Sequence, residues 1–327
     1  MTPMVAALVF AIAIVVIAVA RRLPIATRLA DRPNERSLHT EPTPRVGGLG
    51  VMLAALPIGF WLGDVEGRWL IAAAFALTLV SLADDLSSLT VRTRLVCHLG
   101  AAVIAVVTLA PAGSLASASG LALAALLALL ITWMTNLFNF MDGADGIAGG
   151  MSAIGFGVLG IAAHRAGVSE LAALAFALSA ASLGFLLFNF PPARVFLGDA
   201  GAVPLGFLAG ALSLQGTAMD AWPGWFPALV FSPFIVDATV TLARRLAAGE
   251  EPWRAHRSHY YQRLVLGGWS KRRLASAAWA LMGLAGASAL AALEGPEMLQ
   301  CGILVSWALV YVALMTLIDR RRPRATP

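Results

Sequence analysis

The chain is divided, almost from end to end, into apolar runs long enough to cross a bilayer, and no other feature limits its fold so strictly. A spanning helix needs about 20 mostly apolar residues. Eleven runs approach that length: Met4–Ala20, Val46–Gly63, Trp69–Ala83, Leu95–Ala110, Leu121–Phe140, Ile147–Ala163, Leu171–Phe190, Ala200–Gly216, Trp225–Ala243, Leu274–Leu293 and Met298–Ile318. Leu95–Met141 holds no Lys, Arg, Asp or Glu and is split at the turn signal Pro111-Ala-Gly-Ser114. Barrel strands would alternate apolar and polar residues, and residues 122–130, all Ala and Leu, do not. Charged residues make up 13% of the chain against about 25% in soluble domains, so a soluble fold could not cover its surface. A hydrophobic share of 59% excludes disorder. The expectation is an all-α polytopic membrane protein, residues 1–327 forming one integral membrane domain in the lipid bilayer.

Basic residues give the orientation. With eleven crossings, 21 of the 23 Lys and Arg fall on one side, and only Arg68 and Arg165 on the other. The N-terminus is then expected outside and the C-terminus in the cytoplasm. Met1–Ala20 has no positive leading region and no convincing cleavage site, so it reads as an uncleaved anchor. The net charge of +5 follows from the same bias, and no nucleic-acid partner is expected. Cys97 and Cys301 fall at opposite membrane faces and form no disulfide framework.

Asp84, Asp85, Asp142, Asp145 and Asp199 all lie at cytoplasmic ends of expected spans. Three chain segments thus bring carboxylates to one membrane face. Isolated acids can mark helix ends or pair with loop arginines. Together they repel unless a cation intervenes, and Mg²⁺ takes one or two carboxylates plus substrate phosphates. Asn136, Asn139 and Asp142, three residues apart, are expected on one face of a helix end. Amides leaving an apolar span are costly to bury and point to function. Gly198-Asp-Ala-Gly201 opens another span, where glycine allows close backbone approach and a helix start favours an anion. The pattern reads as a phosphate-and-metal site.

Basic partners come from two loops, Asp31–Gly48, with Arg45, and His256-Arg257-Ser-His259-Tyr-Tyr-Gln-Arg-Leu264. Loop arginines also bind lipid head groups, but guanidinium forks suit phosphates and a histidine pair adds donors, so Arg45, His256, Arg257 and His259 are expected to touch substrate. Asp237, inside the ninth run, is an intramembrane acid; it pairs either with a neighbouring amide or with Arg244, and site-adjacent structure is expected of it. The rival reading is a secondary transporter using Asp237. Transporters place their sites near the bilayer midplane, often between internal repeats, whereas these acids gather at one face and no repeat is seen.

Asp84-Asp85, Asn136-Leu-Phe-Asn139-Phe-Met-Asp142-Gly-Ala-Asp145-Gly, Phe196-Leu-Gly198-Asp199-Ala-Gly201 and His256-Arg-Ser-His259 occur in this order. The combination resembles the polyprenyl-phosphate N-acetylhexosamine-1-phosphate transferases, the superfamily that includes the peptidoglycan enzyme MraY and the O-antigen initiator WecA. The resemblance covers about residues 31–264. It looks closest to the WbpL-like O-antigen branch through Pro33–Ser37, Pro42–Arg45 and His256–Leu264. Ala202 replaces the serine the family often carries, and the triple-histidine loop of the peptidoglycan branch is absent.

The resemblance implies a cytoplasmic-face active site in the bacterial inner membrane. There the phosphate of undecaprenyl phosphate attacks the β-phosphorus of a UDP-linked N-acetylated amino sugar, UMP leaves, and lipid-linked O-antigen or other envelope glycan synthesis begins. Asp199, with Asp85, is expected to hold Mg²⁺, with Mn²⁺ as the substitute. Asp84 is expected to deprotonate or orient the lipid phosphate. Asn136, Asn139, Asp142 and Asp145 are expected at the nucleotide. The sugar is expected to be a 2-acetamido-2,6-dideoxyhexose, with N-acetylglucosamine as runner-up, and a homodimer is one expected assembly.

Overall fold

The computed structural model describes residues 3–33, 41–251 and 256–320. Arg36, Ser37 and His39 of the first basic loop, and residues 252–255 of the second, lie outside the described residues. The chain opens with α1 (Pro3–Ala20) and the short α2 (Pro24–Arg28). A two-residue antiparallel ladder follows, β1 (Ala30–Asp31) against β2 (Thr43–Pro44), with Asp31 opposite Thr43. Then come α3 (Gly47–Leu62), α4 (Val65–Ser87), α5 (Val91–Leu109), α6 (Ala118–Met141), α7 (Ile147–Arg165) and α8 (Ser169–Asn189). The chain continues through α9 (Asp199–Ala218), α10 (Trp225–Val230), α11 (Ser232–Ala247), α12 (Tyr260–Leu266), α13 (Lys271–Ala292) and α14 (Glu297–Asp319).

All eleven apolar runs are helical. Among the described residues, eight helices are long and apolar enough to cross a membrane: α1, α4, α5, α6, α7, α8, α13 and α14. The chain is a multi-pass membrane protein. The other three runs differ from simple spans. Helix α3 has 16 residues, and α9 has 20 but carries four glycines and a proline. The ninth run, expected as one span, is two helices parted at Phe231. Pro233 explains the break. Its ring nitrogen cannot donate to the carbonyl of Leu229, which a continuous helix requires. The hydroxyl of Ser232 donates to that carbonyl instead, at 2.7 Å, and lies 2.6 Å from the hydroxyl of Tyr311 on α14.

Helix α4 outruns its apolar stretch at both ends. Asp64 caps it, accepting from the Gly67 amide at 2.7 Å, and it continues to Ser87, so Asp84 and Asp85 sit in its last turn. The break at Pro111–Ser114 stands as a turn between α5 and α6.

Helices α7, α8 and α9 form the buried centre. Lipid offers no hydrophobic gain for pairing helices, so close approach through small residues must supply the contact. Gly149 lies against Phe185, Gly155 against Phe231 and Gly160 against Phe176. At the periphery, α14 buries only Tyr311.

One seam positions the site. The amides of Gly47 and Gly48 donate to the carbonyls of Phe196 and Leu197 at 2.9 and 2.8 Å, and the Phe196 amide donates to Pro44 at 2.8 Å. The start of α3 is thereby fastened to the segment entering α9. Gly48 and Gly201 face each other so closely that a Cβ on either would collide with the other's backbone.

Candidate active site

The seam brings Arg45 beside the start of α9. Arg45 Nη2 lies 2.7 Å from Asp31 Oδ1, and Nη1 lies 3.3 Å from Asp85 Oδ1. The other oxygen of Asp85 accepts from the Ala200 amide at 3.4 Å. Gly198 turns the chain into α9 at φ +74°, a left-handed value that glycine adopts without strain. A Cβ there would also stand 2.9 Å from that of Arg45 and 3.3 Å from Asp85 Oδ2.

Asp84, the neighbour of Asp85 in the last turn of α4, has different partners. It accepts from the Leu89 amide at 2.6 Å and from Arg94 Nη1 at 3.2 Å. The same Arg94 nitrogen is 4.0 Å from Asp199 Oδ2. Asn139 hydrogen-bonds Asp199 from α6. Asp84, Asp85 and Asp199, expected together, are therefore joined by Arg45 and Arg94.

A cavity of about 270 Å³ opens over this cluster. Asp31, Arg45, Asn139, Asp142, Asp145, Asp199, His256 and Lys271 line it, with Phe140, Phe196, Tyr261 and Gln262 among the remaining walls. Asp142 ends α6 inside the cavity. Its carboxyl is pushed well above the usual carboxylate range, by burial first and by the charge of Asp199 second. Lys271 Nζ lies 3.0 Å from Asp145 Oδ1, and the Ala193 amide donates to Oδ2 at 3.0 Å, so Asp145 anchors the cavity wall.

Asn136 is not brought to this cavity. Its side chain lies 3.3 Å from His98 Nδ1 on α5 and donates to the Thr132 carbonyl at 2.7 Å. The reason is helical phase. At about 100° per residue, three residues fall about 60° short of a turn, and six about 120° short, so Asn136 cannot share the face of Asp142.

In the second basic loop, His256 lines the cavity while His259 is buried behind it, ring centroids 5.0 Å apart. Burial, then the charges of His259 and Arg245, push His256 down to about 4, so near neutral pH it is an uncharged imidazole. Its Nδ1 is 2.8 Å from the Ser258 hydroxyl. Arg257 is exposed and does not line the cavity. Tyr261 donates to the Phe140 carbonyl at 3.0 Å and packs over Gly143. Its phenol is held protonated by burial first, then by Asp237 and Asp142. Asp237 pairs with this loop and not with Arg244, which bonds Asp319 at 2.7 Å.

Arg94 and Lys271 enter the sequence reading only as orientation charges. Asn189, a third amide at the end of an apolar run, was readable. It accepts from the Gly146 amide at 2.8 Å and donates to the Val195 carbonyl at 2.9 Å, tying the Asp142–Asp145 turn to the segment before Gly198.

Six carboxylates, Asp31, Asp84, Asp85, Asp142, Asp145 and Asp199, thus converge with three cations, Arg45, Arg94 and Lys271. Among the described residues, no three acids, histidines or cysteines already form a complete metal cage. A hard-oxygen donor set short of full coordination suits a cation that completes its shell from phosphates and water.

The fold and the site together define a multi-pass helical membrane protein with a carboxylate-rich, arginine-bridged cleft. Residues 68–217 match the family model described as glycosyl transferase family 4. The chain is 29% identical to the probable undecaprenyl-phosphate N-acetylglucosaminyl 1-phosphate transferase of Bacillus subtilis, over 79% of this chain and 76% of that one. It is 29% identical to the undecaprenyl-phosphate alpha-N-acetylglucosaminyl 1-phosphate transferase of Yersinia pestis, over 82% and 80%. It is 31% identical to the phospho-N-acetylmuramoyl-pentapeptide-transferase of Listeria monocytogenes, over 45% and 44%. The family match and these relatives support placing the chain in the MraY/WecA-like superfamily.

Proposed function

We propose that this protein transfers an N-acetylated amino sugar-1-phosphate from a UDP-sugar to undecaprenyl phosphate, at the cytoplasmic face of a bacterial inner membrane. The observation that carries the reading is the convergence of Asp84, Asp85 and Asp199 on Arg45 and Arg94 under one cavity. A phosphate oxygen of the lipid forms a bond to the β-phosphorus. The bond from that phosphorus to the bridging oxygen breaks, and its electron pair leaves with UMP. Such transfer asks the protein mainly to position two anionic phosphates and offset their charge. Arg45 and Arg94 suit the diphosphate. Asn139 and Asp142 hold the nucleotide end. Asp84 orients the lipid phosphate, which is already ionised near neutral pH and needs little help from a base. Asp199 and Asp85 are the residues that would hold Mg²⁺, or Mn²⁺ in its place. The ion would supply positive charge between the two phosphates.

An apolar cavity of about 310 Å³ supports a lipid acceptor. It lies between α6, α9, α10 and α11, lined by Leu127, Leu130, Ile131, Met134, Leu214 and Phe231. Met134 is two turns or less along α6 from Asn139, so a prenyl tail there would leave its phosphate near the acidic cluster.

Eleven crossings, with the N-terminus outside and the C-terminus in the cytoplasm, place this end of the bundle where UDP-sugars are made. The transport reading loses its key group, because the Asp237 carboxylate accepts hydrogen bonds from His259, Tyr260, Tyr261 and Thr241. The relatives aligned over most of their length are named for N-acetylglucosaminyl transfer, while the muramoyl-pentapeptide relative aligns over less than half. The glycan is therefore taken to be an O-antigen or other envelope polymer. We retain a 2-acetamido-2,6-dideoxyhexose as the sugar, in line with the WbpL-like loop, and N-acetylglucosamine as the competitor. Purified protein given UDP-sugar, undecaprenyl phosphate and Mg²⁺ should release UMP and label the lipid. Absence of both products with every UDP-amino sugar tried would refute the assignment. Competition between UDP-N-acetylglucosamine and its 6-deoxy analogues decides the sugar. A site with no partner for the 6-hydroxyl should disfavour it by roughly ten- to a hundredfold.

A further inference from the structure

Asp237 is a buried acid that the proposed chemistry does not use. It lies on α11, just past the Pro233 break, and is 8% exposed. Its Oδ1 accepts from His259 Nδ1 at 3.1 Å, from the Tyr260 amide at 3.0 Å and from the Thr241 hydroxyl at 3.2 Å. Its Oδ2 accepts from the Tyr261 amide at 3.0 Å. A carboxylate oxygen only accepts, so His259 Nδ1 is the donor in this bond. The His259 ring then stacks on Tyr261 at 5.8 Å and lies 5.0 Å from His256. Tyr261 in turn bonds the Phe140 carbonyl and covers Gly143. One carboxylate thus holds a histidine ring and two successive amides, and through Tyr261 it reaches the corner that carries Asn139 and Asp142.

We infer that Asp237 is a positioning residue for sugar-1-phosphate transfer: it holds the His256–Tyr261 segment against the Asn139–Gly143 corner, so that both present their side chains to one cavity. The inference rests on the proposed transfer reaction. It differs from a merely stabilising role, because loss of the carboxylate should leave the bundle folded while the cavity walls lose their mutual alignment. Replacement of one oxygen by an amide group suffices, since four donors then compete for fewer acceptors and the amide adds donors of its own.

The test uses the full-length protein in detergent or nanodiscs. In the unmodified protein, hydrogen exchange at the Tyr260 and Tyr261 amides should be slow; exchange as fast as in an unstructured peptide overturns the inference without any variant. Asp237→Asn should speed exchange at these amides by about tenfold or more. It should lower kcat for UMP release, per folded molecule, by about tenfold or more, with KM for the UDP-sugar changed less than about threefold. A purely structural role would reduce the folded fraction and leave kcat per folded molecule intact, which overturns the inference. In the double variant Asp237→Asn/His259→Ala, turnover should stay within about threefold of the poorer single variant; full multiplication of the two losses sinks the proposal. If Asp237→Asn does not fold, Asp237→Glu, which keeps the charge but displaces both oxygens, carries the same kinetic comparison. If the unmodified protein transfers no sugar phosphate, the function assigned above fails, while the exchange measurement still decides whether Asp237 holds the segment.

Discussion

At the scale of single residues, the acids differ in what they touch, and the differences predict separable effects. Asp199 shares Arg94 with Asp84 and hydrogen-bonds Asn139. Asp199→Asn should lower UMP release by about a hundredfold or more, the scale of a lost preorganised charge, and should weaken the response to Mg²⁺. A near-normal rate with unchanged Mg²⁺ dependence would remove Asp199 from the metal role. Asp142 poses a different problem. Burial and the charge of Asp199 raise its carboxyl well above the usual range. A carboxyl raised on folding holds its proton longer in the folded state than in the unfolded one. Stability is therefore lost as pH rises from the ordinary carboxylate range through the raised value. Asp142→Asn removes that ionisation. Without divalent cations, the variant should unfold at a higher temperature than the parent at pH 8, and the gap should close toward pH 4. Its turnover should fall, because the amide cannot replace a carboxylate at the nucleotide. A variant that melts lower than the parent at pH 8 would contradict this account.

At the scale of elements, the site depends on how two helix starts are seated against each other. Gly48 and Gly201 meet backbone to backbone, where no side chain can swing aside. Gly201→Ala should force α3 and α9 apart, at about 1–3 kcal/mol of overpacking, and should move Asp199 away from Asp85. Turnover should fall about tenfold with the thermal midpoint lowered by several degrees, read by UMP release and by unfolding in detergent. A fully active, equally stable variant would show that the seam is not tight. The helices themselves were legible, because a bilayer-length apolar run has few alternatives. The turn at Pro111 and the placement of acids at helix ends were legible for the same reason. The seam was not, since it consists of backbone bonds between Gly47, Gly48, Phe196 and Leu197, far apart in sequence and carried by no distinctive side chain. The break at Phe231 was partly legible. Pro233 stands in plain sight, but hydropathy averages across it. Three-residue spacing drifts by about 60° per step, so over two steps Asn136 turns toward His98 and away from the cavity.

At the scale of the whole molecule, charge asymmetry and site geometry make one joint prediction. Arg45 and Lys271 line the acidic cavity, Arg94 pairs with the acids beneath it, and all three belong to the basic set that the positive-inside bias assigns to the cytoplasm. Orientation and chemistry are therefore not independent. If eleven crossings hold, each of the three runs that differs from a simple span must still carry the chain across: α3 despite its 16 residues, α9 despite its glycines, and α10 with α11 despite the break. Helix α9 manages this by being lined with protein, since nearly all its residues are buried and its small side chains meet α6 closely. Removing any one crossing between Arg45 and His256 would carry every later loop to the other side, separating Lys271 and His256 from Arg45 across the bilayer. The cavity joins all three residues, so an even number of failures or none is required between them. Single cysteines placed at Arg28, Arg92, Arg194 and Arg273 in a background free of Cys97 and Cys301 should all resist a membrane-impermeant thiol reagent in intact cells and all react after permeabilisation. A cysteine at Arg165 should react in intact cells. Labelling of the Arg92 or Arg194 position from outside, with the Arg165 position protected, would invert the protein. It would place the cavity on the face where UDP-sugars are absent, and the proposed reaction would fall with the topology.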